Sequence, residues 1–157
     1  MNTNIRSAPP FDFICPLHSG DVLGGLPQEV VGALTAITTR KAYRDGETIF
    51  EEGQVPPGIL KMEKGEAFLS YTPPGKKARR TRRLEPDEIW GLTEVLGDVP
   101  MEVALLSIES TVIELIPADE FIHLVRNENS LCFRLLQILS TRYQTKWASM
   151  KARIDRQ

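Results

Sequence analysis

Glycine-containing turns divide one stretch of this chain into short segments. Between Tyr43 and Leu69 short apolar runs alternate with turn pairs, which are Asp45-Gly46, Glu52-Gly53, Pro57-Gly58 and Lys64-Gly65. Glycine is favoured wherever a turn needs a positive φ, and X-Gly pairs about ten residues apart are typical of antiparallel strands joined by tight turns. The spacing predicts an antiparallel sandwich or barrel rather than βαβ units.

The same stretch resembles a known fold. Tyr43–Phe50 reads YRDGETIF and, with the Glu52-Gly53 that follows, is similar to the start of the cyclic-nucleotide-binding β-roll of the Crp/Fnr family of bacterial regulators. The later run Pro117–Phe121 resembles a proline-led helix start of that family. The resemblance extends from about Leu26 to Ile154. It implies a mainly β fold with flanking helices, a double-stranded β-helix (jelly-roll or cupin-like β-roll) followed by a long C-terminal dimerisation helix.

Apolar spacing predicts helices on both sides of the strands. The segment 26–38 places four apolar residues at helical spacing behind Pro27, namely Val30, Val31, Leu34 and Ile37. Strands should follow to about Ile116, with residues 103–116 as a buried hairpin. A short helix from Pro117 to Arg126 and a long helix from about Ser130 to beyond Ile154 come next. The expected organisation is an N-terminal leader over 1–20, a β-roll sensor domain over 21–126, and the dimerisation helix over 127–157.

Composition and charge limit the class of protein. The 157 residues are 41% hydrophobic and 25% charged, as is ordinary for one globular domain, and the net charge of −2 gives no overall attraction to nucleic acid. No apolar run is long enough to cross a bilayer, and the N-terminus lacks a signal-peptide core, so we expect a cytoplasmic protein without membrane contact. In the cytoplasm Cys15 and Cys132 should be free thiols.

The long helix carries two apolar stripes. A long stripe follows its whole length and consists of Cys132, Leu136, Leu139, Tyr143, Trp147, Met150 and Ile154. A short stripe of Leu131, Leu135 and Ile138 lies beside it in the first half only. The short stripe predicts packing on the β-roll, and the long stripe predicts a homodimer interface, with a helix folded back over a monomeric core as the alternative. The family resemblance also implies that this helix forms the dimer interface.

The resemblance further implies a site for a cyclic nucleotide, but its polar anchors are changed. In cAMP-binding relatives a Glu accepts the ribose hydroxyl and an Arg pairs with the cyclic phosphate. In the matching residues 89–106, Trp90-Gly91 is similar, but Leu92 stands in place of the Glu and Met101 or Glu102 in place of the Arg. A carboxylate at this place would repel the phosphate. Tight binding of cAMP or cGMP is therefore disfavoured, and no cofactor is expected.

The candidate ligand-binding residues match this degenerate phosphate cassette and the part of the long helix that meets adenine in relatives. They are Trp90, Gly91, Leu92, Thr93, Glu94, Met101, Glu102, Val103, Ala104, Thr145 and Lys146. Glu94 is a candidate for the ribose contact, but no Lys or Arg over residues 90–107 could hold the phosphate. Leu92, Met101 and Val103 would make a mostly apolar pocket, which suits a less anionic effector or a core filled by side chains.

Basic residues are concentrated between positions 76 and 83. They are Lys76, Lys77, Arg79, Arg80, Arg82 and Arg83. On a strand they would point to both faces, so the segment should lie at a sheet edge or project as a hairpin arm rather than be half-buried. Protection of the edge by charge, and contact with an anion or a protein partner, are both compatible with this pattern.

No catalytic or metal-binding pattern accompanies these features. The two histidines, His18 and His123, are far apart in sequence, and no Ser/His/Asp set or carboxylate pair forms a recognisable motif. Neither an enzyme nor a metal site is expected. Crp/Fnr transcription factors continue into a winged helix-turn-helix, whereas this sequence ends at Gln157, so we expect no sequence-specific DNA binding by this chain.

The function expected from the sequence is that of a homodimeric, ligand-sensing regulatory module that is part of, or derived from, a Crp/Fnr regulator. A small-molecule effector and a protein partner would be its contacts. Two alternatives remain open. One is a structural protein-interaction module whose pocket is filled, and the other is a fragment of a DNA-binding transcription factor.

Overall fold

Two four-stranded antiparallel sheets form the body of the protein in the computed structural model, which describes residues 17–72 and 75–156. The first sheet has the strand order β1-β8-β3-β6 and the second β2-β7-β4-β5. The strands are Thr39–Tyr43 (β1), Thr48–Phe50 (β2), Gly58–Lys64 (β3), Ala67–Tyr71 (β4), Arg80–Arg83 (β5), Ile89–Trp90 (β6), Ala104–Ser107 (β7) and Thr111–Pro117 (β8). The predicted antiparallel β-roll is confirmed.

Two helices precede the strands, one lies between β6 and β7, and two follow the strands. They are Ser19–Leu23 (α1), Gln28–Ile37 (α2), Leu92–Gly97 (α3), Ala118–Asn127 (α4) and Asn129–Ile154 (α5). Pro27 and Pro117 precede α2 and α4 with φ of −57°, which suits a helix start, and the predicted helices in these regions are confirmed. α1 was not predicted, because its 5 residues are too few to show a helical period. Within the described residues, no helix has both the length and the apolarity needed to cross a membrane.

The hairpin expected over residues 103–116 is wrong. β7 pairs with β2 and β4 in the second sheet, whereas β8 pairs with β1 and β3 in the first. The chain crosses between the sheets over residues 108–110, where the Ile108 N–H donates to the Glu66 carbonyl at 3.0 Å and the Ser107 hydroxyl donates to the Thr111 hydroxyl at 2.9 Å. A run of β-branched residues predicts strands, but it does not show which sheet each strand joins.

The core has two parts, one on each face of the first sheet. Between the sheets lie Ile49, Phe50, Leu60, Ala67, Leu69, Tyr71, Leu84, Trp90, Met101, Val103, Leu105 and Ile113. On the outer face, the sheet packs against the helices through Leu17, Val22, Val30, Leu34, Ile59, Ile89, Leu92, Val95, Phe121, Leu131, Leu135 and Ile138. Consecutive strand residues point to opposite faces, so Ile59 packs on the helices and Leu60 between the sheets.

A close backbone contact seats the start of α3 on the first sheet. Gly91 has a φ of 96°, in the left-handed region, and a Cβ at this position would lie 2.1 Å from the carbonyl oxygen of Gly58. Gly58 in turn lies close to β8, since its Cβ would be 2.0 Å from the carbonyl oxygen of Ile116. Both contacts are too close for any side chain, so the two glycines let α3, β3 and β8 approach one another.

α5 packs on the β-roll through its first half only. Leu131, Leu135 and Ile138 are buried, as predicted for the short stripe. Cys132 is a free thiol, and Cys15 lies outside the described residues. The long stripe has little cover within the single chain. Its members Leu136, Tyr143, Trp147, Met150 and Ile154 are exposed, and Cys132 and Leu139 are half-buried.

The basic segment ends in β5, which lies at the edge of the second sheet, one of the two expected placements. The residues whose side chains are exposed are Lys76, Lys77, Arg79, Arg80 and Arg83. The expectation that the segment is not half-buried is wrong for Arg82, whose side chain is only 26% exposed. A strand that is basic on both faces can turn one cation inward when a buried acid receives it, and here that acid is Glu88.

Glu88 is fully buried, and each of its carboxylate oxygens accepts two hydrogen bonds. The terminal nitrogens of Arg82 donate at 3.0 and 2.5 Å, the Glu85 backbone N–H at 2.7 Å and the Trp90 indole N–H at 2.9 Å. Burial alone would raise the pKa of Glu88. The hydrogen bonds and the charge of Arg82 outweigh burial and hold that pKa below its usual value.

Glu88→Gln should lower the free energy of unfolding at neutral pH by about 3 kcal/mol, because losing one partner of a buried ion pair costs about 3 to 5 kcal/mol and Arg82 retains some access to water. Since the folded pKa of Glu88 is lowered, its stabilising contribution is present above the ordinary value of 4.5 and is lost as the pH falls through the folded value. Urea unfolding at a fixed protein concentration, at neutral pH and in acid, measures both effects.

Glu109→Gln is the matched control, because Glu109 is also a glutamate but has an exposed side chain. Its free energy of unfolding should stay within about 0.5 kcal/mol of the native value. Equal stability of Glu88→Gln and Glu109→Gln at neutral pH would contradict the role given to Glu88.

Candidate functional site

A cavity of about 230 Å³ lies between α3, β6 and the middle of α5, and we call it the α3–α5 cavity. Its lining residues are Leu17, Glu88, Ile89, Trp90, Gly91, Leu92, Thr93, Glu94, Glu102, Leu139, Arg142, Tyr143 and Lys146. One wall is therefore the segment that Gly91 seats on the first sheet. The opposite wall is formed by residues of α5 that come after Ile138, the last residue of the buried short stripe.

The structure brings many of the candidate ligand-binding residues together in this cavity. Those that line it are Trp90, Gly91, Leu92, Thr93, Glu94, Glu102 and Lys146. The other candidates lie elsewhere. Met101, Val103 and Ala104 are buried within the β-roll, and Thr145 is exposed on α5, where its hydroxyl donates to the Thr141 carbonyl at 3.0 Å.

The apolar pocket expected from Leu92, Met101 and Val103 is not formed. Leu92 packs in the core on the outer face of the first sheet, whereas Met101 and Val103 fill the core between the sheets. The left-handed turn at Gly91 causes this separation, because it directs the first residue of α3 towards the helices. Met101 and Val103 are each at most 2% exposed, so at these positions the interior of the β-roll is occupied by side chains.

Arg142 is the cation of this cavity that the sequence analysis did not indicate, and Leu17, Glu88 and Ile89 also line the cavity without having been predicted. Residues 90–107 contain no Lys or Arg, whereas Arg142 and Lys146 both reach the cavity from α5. Residues four apart lie on the same face of a helix. Since Lys146 was already a candidate, the helical period pointed to Arg142 as its neighbour.

Glu94 is a buried carboxyl group in the wall of the cavity. It is 4% exposed, and its Oε2 accepts a hydrogen bond from the Thr93 hydroxyl at 3.1 Å. Burial raises the pKa of Glu94, and the charge of Glu102 raises it further, while hydrogen bonds from its own backbone N–H and from Thr93 oppose the shift without cancelling it. The folded protein therefore makes Glu94 harder to ionise than a glutamate in water, whereas it makes Glu88 easier to ionise.

The arrangement suits reversible binding of a small molecule. Arg142 and Lys146 from α5 face a wall that holds the well-paired carboxylate of Glu88 and the carboxyl group of Glu94, whose pKa is raised by burial, and the Tyr143 ring supplies apolar surface. Across the described residues, no three His, Cys, Asp or Glu side chains come together as a metal site would require.

A second cavity of about 280 Å³ lies between α1, α2 and the outer face of the first sheet. Its lining is mostly apolar, and Lys61 at its wall is paired with Glu114 at 3.3 Å. Ile89 and Leu92 line both cavities, so the two spaces share a wall. Glu88, Glu94, Arg142 and Lys146 line only the α3–α5 cavity.

Glu94→Gln should raise the free energy of unfolding at neutral pH by about 1 kcal/mol. Gln removes the cost of keeping an incompletely paired carboxylate buried, and about 1 kcal/mol is the lower end of that cost. The raised folded pKa means that native stability is greatest below the ordinary value of 4.5 and falls as the pH rises through the folded value. Gln keeps an oxygen for Thr93 but cannot ionise. The advantage of the variant should thus disappear in acid, and a variant less stable than the native protein at neutral pH would contradict this account.

Comparison with known proteins places these features in a family. A family model described as the cyclic nucleotide-binding domain matches residues 40–128. The crystal structure of the Thermus thermophilus catabolite activator protein is similar with a TM-score of 0.70 at 21% identity, over 84% of this chain and 62% of that one. A comparison with curated proteins gave no match.

Two further solved structures cover mainly sensor regions. The N-terminal domain of a transcriptional regulator from Streptomyces coelicolor A3(2) has a TM-score of 0.72 at 16% identity, over 83% of this chain and 91% of that domain. The sensor domain of the transcriptional regulator DNR from Pseudomonas aeruginosa has a TM-score of 0.62 at 13% identity, over 78% and 86%.

The chain spans less than two thirds of the length of the Thermus protein, and at these identities the structural likeness shows the fold. It confirms the resemblance to Crp/Fnr regulators. The family model matches more than half of the 157 residues, so the chain belongs to the cyclic nucleotide-binding domain family.

Proposed function

We propose that this chain is a homodimeric regulatory module that senses a small effector, and that it does not bind cAMP or cGMP tightly in the manner of cAMP-responsive relatives. The chain is, in this proposal, part of or derived from a Crp/Fnr transcriptional regulator. Its role is regulatory rather than enzymatic. The resemblance of the fold to regulator sensor domains supports this class of function.

The charge of the cassette segment is the observation that carries the proposal. Residues 90–107 contain no Lys or Arg, and the carboxyl groups of Glu94 and Glu102 both lie at the α3–α5 cavity. A phosphate placed against this segment would meet carboxyl groups instead of a guanidinium. Such an exchange in a partly buried site should lose several kcal/mol, on the order of a thousandfold in affinity.

The packing of the β-roll interior supports the same proposal. Met101 or Glu102, depending on a one-residue gap, aligns with the phosphate-binding Arg of relatives, and Met101 is 1% exposed in the core between the sheets. A thioether there offers no charge to an anion. The space nearest the cassette therefore favours apolar side chains over a nucleotide.

The long stripe of α5 supports a homodimer. Trp147, Met150 and Ile154 lie beyond the part of α5 that packs on the β-roll, and each is at least 40% exposed. A helix with one unpaired apolar stripe is stabilised by pairing with a second copy about a two-fold axis. We propose that effector binding alters the packing of Leu139, Tyr143, Trp147 and Met150, and that a partner reads the altered helix pair.

A second candidate function is a structural protein-interaction module with a filled pocket. The filled β-roll interior favours it, and so do the exposed cations of the basic segment, which are Lys76, Lys77, Arg79 and Arg80. In that case no small molecule should stabilise the protein. A fragment of a DNA-binding regulator is the third candidate, since the chain covers only 62% of the Thermus protein.

Isothermal titration with cAMP and cGMP tests the proposed pocket. We expect dissociation constants of about 1 mM or weaker, the range left after a loss on the order of a thousandfold from micromolar binding. Glu102→Arg should improve cAMP affinity at least about tenfold, because it replaces a repelling charge by a bidentate donor. Glu109→Arg changes the charge equally in the exposed turn before β8 and should have no effect. Micromolar binding by the native protein would overturn the proposal.

Met150→Glu tests the dimer without touching the α3–α5 cavity. Burying a charge in the apolar seam should convert the dimer to a monomer in sedimentation equilibrium. Ser149→Glu introduces the same charge at the adjacent exposed position, off the stripe, and should remain dimeric. A native protein that sediments as a monomer, or a Met150→Glu variant that stays dimeric, would contradict the proposed interface.

A further inference from the structure

A space of about 280 Å³ separates α1 and α2 from the outer face of the first sheet, and we call it the α1–α2 cavity. Protein interiors are close-packed, and voids larger than a water molecule are few. Side chains around such a space lose the contacts that a neighbour would give them. A cavity of this size therefore needs an explanation, and it has no part in the function proposed above.

The bottom of the α1–α2 cavity is apolar and out of solvent. Its buried lining residues are each at most 9% exposed, and they are Val22, Leu34, Ile59, Ile89, Leu92 and Phe121. None of these side chains carries a polar atom. An apolar cavity of about 150 Å³ stays dry and takes up molecules the size of benzene, so the larger space here suits an apolar body of one or two rings.

The cavity opens to solvent beside the last turn of α2, where the exposed Thr35 and the half-buried Thr38 line it. The Thr35 hydroxyl donates to the Val31 carbonyl at 2.9 Å. The Thr38 hydroxyl donates to the Leu34 carbonyl at 2.7 Å. Because each hydroxyl proton is already used, the two oxygens are left as hydrogen-bond acceptors. A ligand group at this end should therefore be a donor.

The charged residues of the wall, Lys61 and Glu114, compensate each other. They are cross-strand partners on β3 and β8, and the Lys61 Nζ lies 3.3 Å from the Glu114 Oε2. The same ammonium lies 3.9 Å from the Asp87 carboxylate. Lys61 is the one cation among the residues that line this cavity, so an anionic ligand would meet two carboxylates for one ammonium. The wall thus favours an uncharged molecule.

We propose that the α1–α2 cavity binds a small uncharged molecule that has an apolar body of one or two rings and one hydrogen-bond donor. The body occupies the apolar bottom, and the donor faces the hydroxyl oxygens of Thr35 and Thr38. This site goes beyond the proposed function, which does not depend on the α1–α2 cavity. Ile89 and Leu92 line both cavities, so a ligand here contacts residues that also form the wall of the α3–α5 cavity.

Calorimetric titration at neutral pH with three matched indoles tests the ligand class. Indole has two rings and an N–H donor, 1-methylindole lacks the donor, and indole-3-carboxylate adds an anion. Indole should bind with a dissociation constant below about 1 mM, at least about threefold more tightly than 1-methylindole and at least about tenfold more tightly than indole-3-carboxylate. Weaker binding of indole, or equal affinity for indole and either of the other two, would overturn the proposed class.

Val31→Phe locates the ligand. Val31 is half-buried and lines the cavity, so the added ring should fill empty space, leave the fold intact and weaken indole binding at least about tenfold. Val55→Phe makes the same change at a position that is 80% exposed and outside the cavity, and it should bind indole as the native protein does.

Thr35→Trp is a second variant that keeps the test decisive if Val31→Phe does not fold. Thr35 is exposed, so an indole side chain there should be tolerated, and it should obstruct the entrance and weaken binding of free indole. Native affinity in a folded Val31→Phe or in Thr35→Trp, or an equal loss in Val55→Phe, would overturn the assignment of the ligand to this cavity.

The proposed site and the proposed function fail in different ways. If indole does not bind to a protein that is dimeric and binds cyclic nucleotides no more tightly than about 1 mM, the α1–α2 site is wrong and the proposed function is unaffected. If indole binds and Val31→Phe abolishes that binding, but the native protein binds cAMP at micromolar concentration, the site stands and the proposed function is overturned.

Discussion

The region around the cavity depends on the burial of one ionised carboxylate. An ion that leaves water loses several kcal/mol of hydration, so it persists in a core only where donors replace the water. Glu88 meets this condition because donors reach it from β5, from the loop that follows and from β6. The same contacts fix the indole of Trp90, which lies both in the core between the sheets and in the cavity wall. The carboxylate of Glu88 thus links the edge strand β5 to Trp90 in the wall of the α3–α5 cavity.

This pairing also changes the interpretation of the basic segment. A run of six cations is typical of a solvated edge, and most of its side chains are exposed as such an edge requires. Arg82 differs because it neutralises Glu88, and its guanidinium lies largely out of solvent. Glu94 has no such cation in the contacts described above, and burial raises its pKa instead. The contributions of Glu88 and Glu94 to the free energy of unfolding therefore change with pH in opposite directions. Both side chains are buried, so the difference comes from their local hydrogen-bond and charge partners.

The sequence predicted the strands and helices well, because glycine turns and apolar periods are local signals. The partners of each strand are not local, and for this reason β7 and β8 were assigned to one hairpin although they lie in different sheets. A similar limit applies to the site. Leu92 and Met101 were placed in one pocket because they are close in sequence, but the turn at Gly91 sends them to different cores. Arg142 was missed because a cation fifty residues away on α5 reaches the cavity only through the tertiary fold.

Leu139 and Tyr143 belong to two surfaces at once, the wall of the α3–α5 cavity and the long stripe of α5. A ligand and a second copy that both contact these side chains change the free energy of each other's binding, and this coupling is reciprocal. Its sign follows from side-chain entropy. The Tyr143 ring is 69% exposed, so the first partner to bind it restricts its rotamers, and the second partner does not meet that cost again. The coupling should therefore be favourable, so that under the proposed function an effector in contact with Leu139 and Tyr143 would strengthen the proposed dimer directly, without first moving α3.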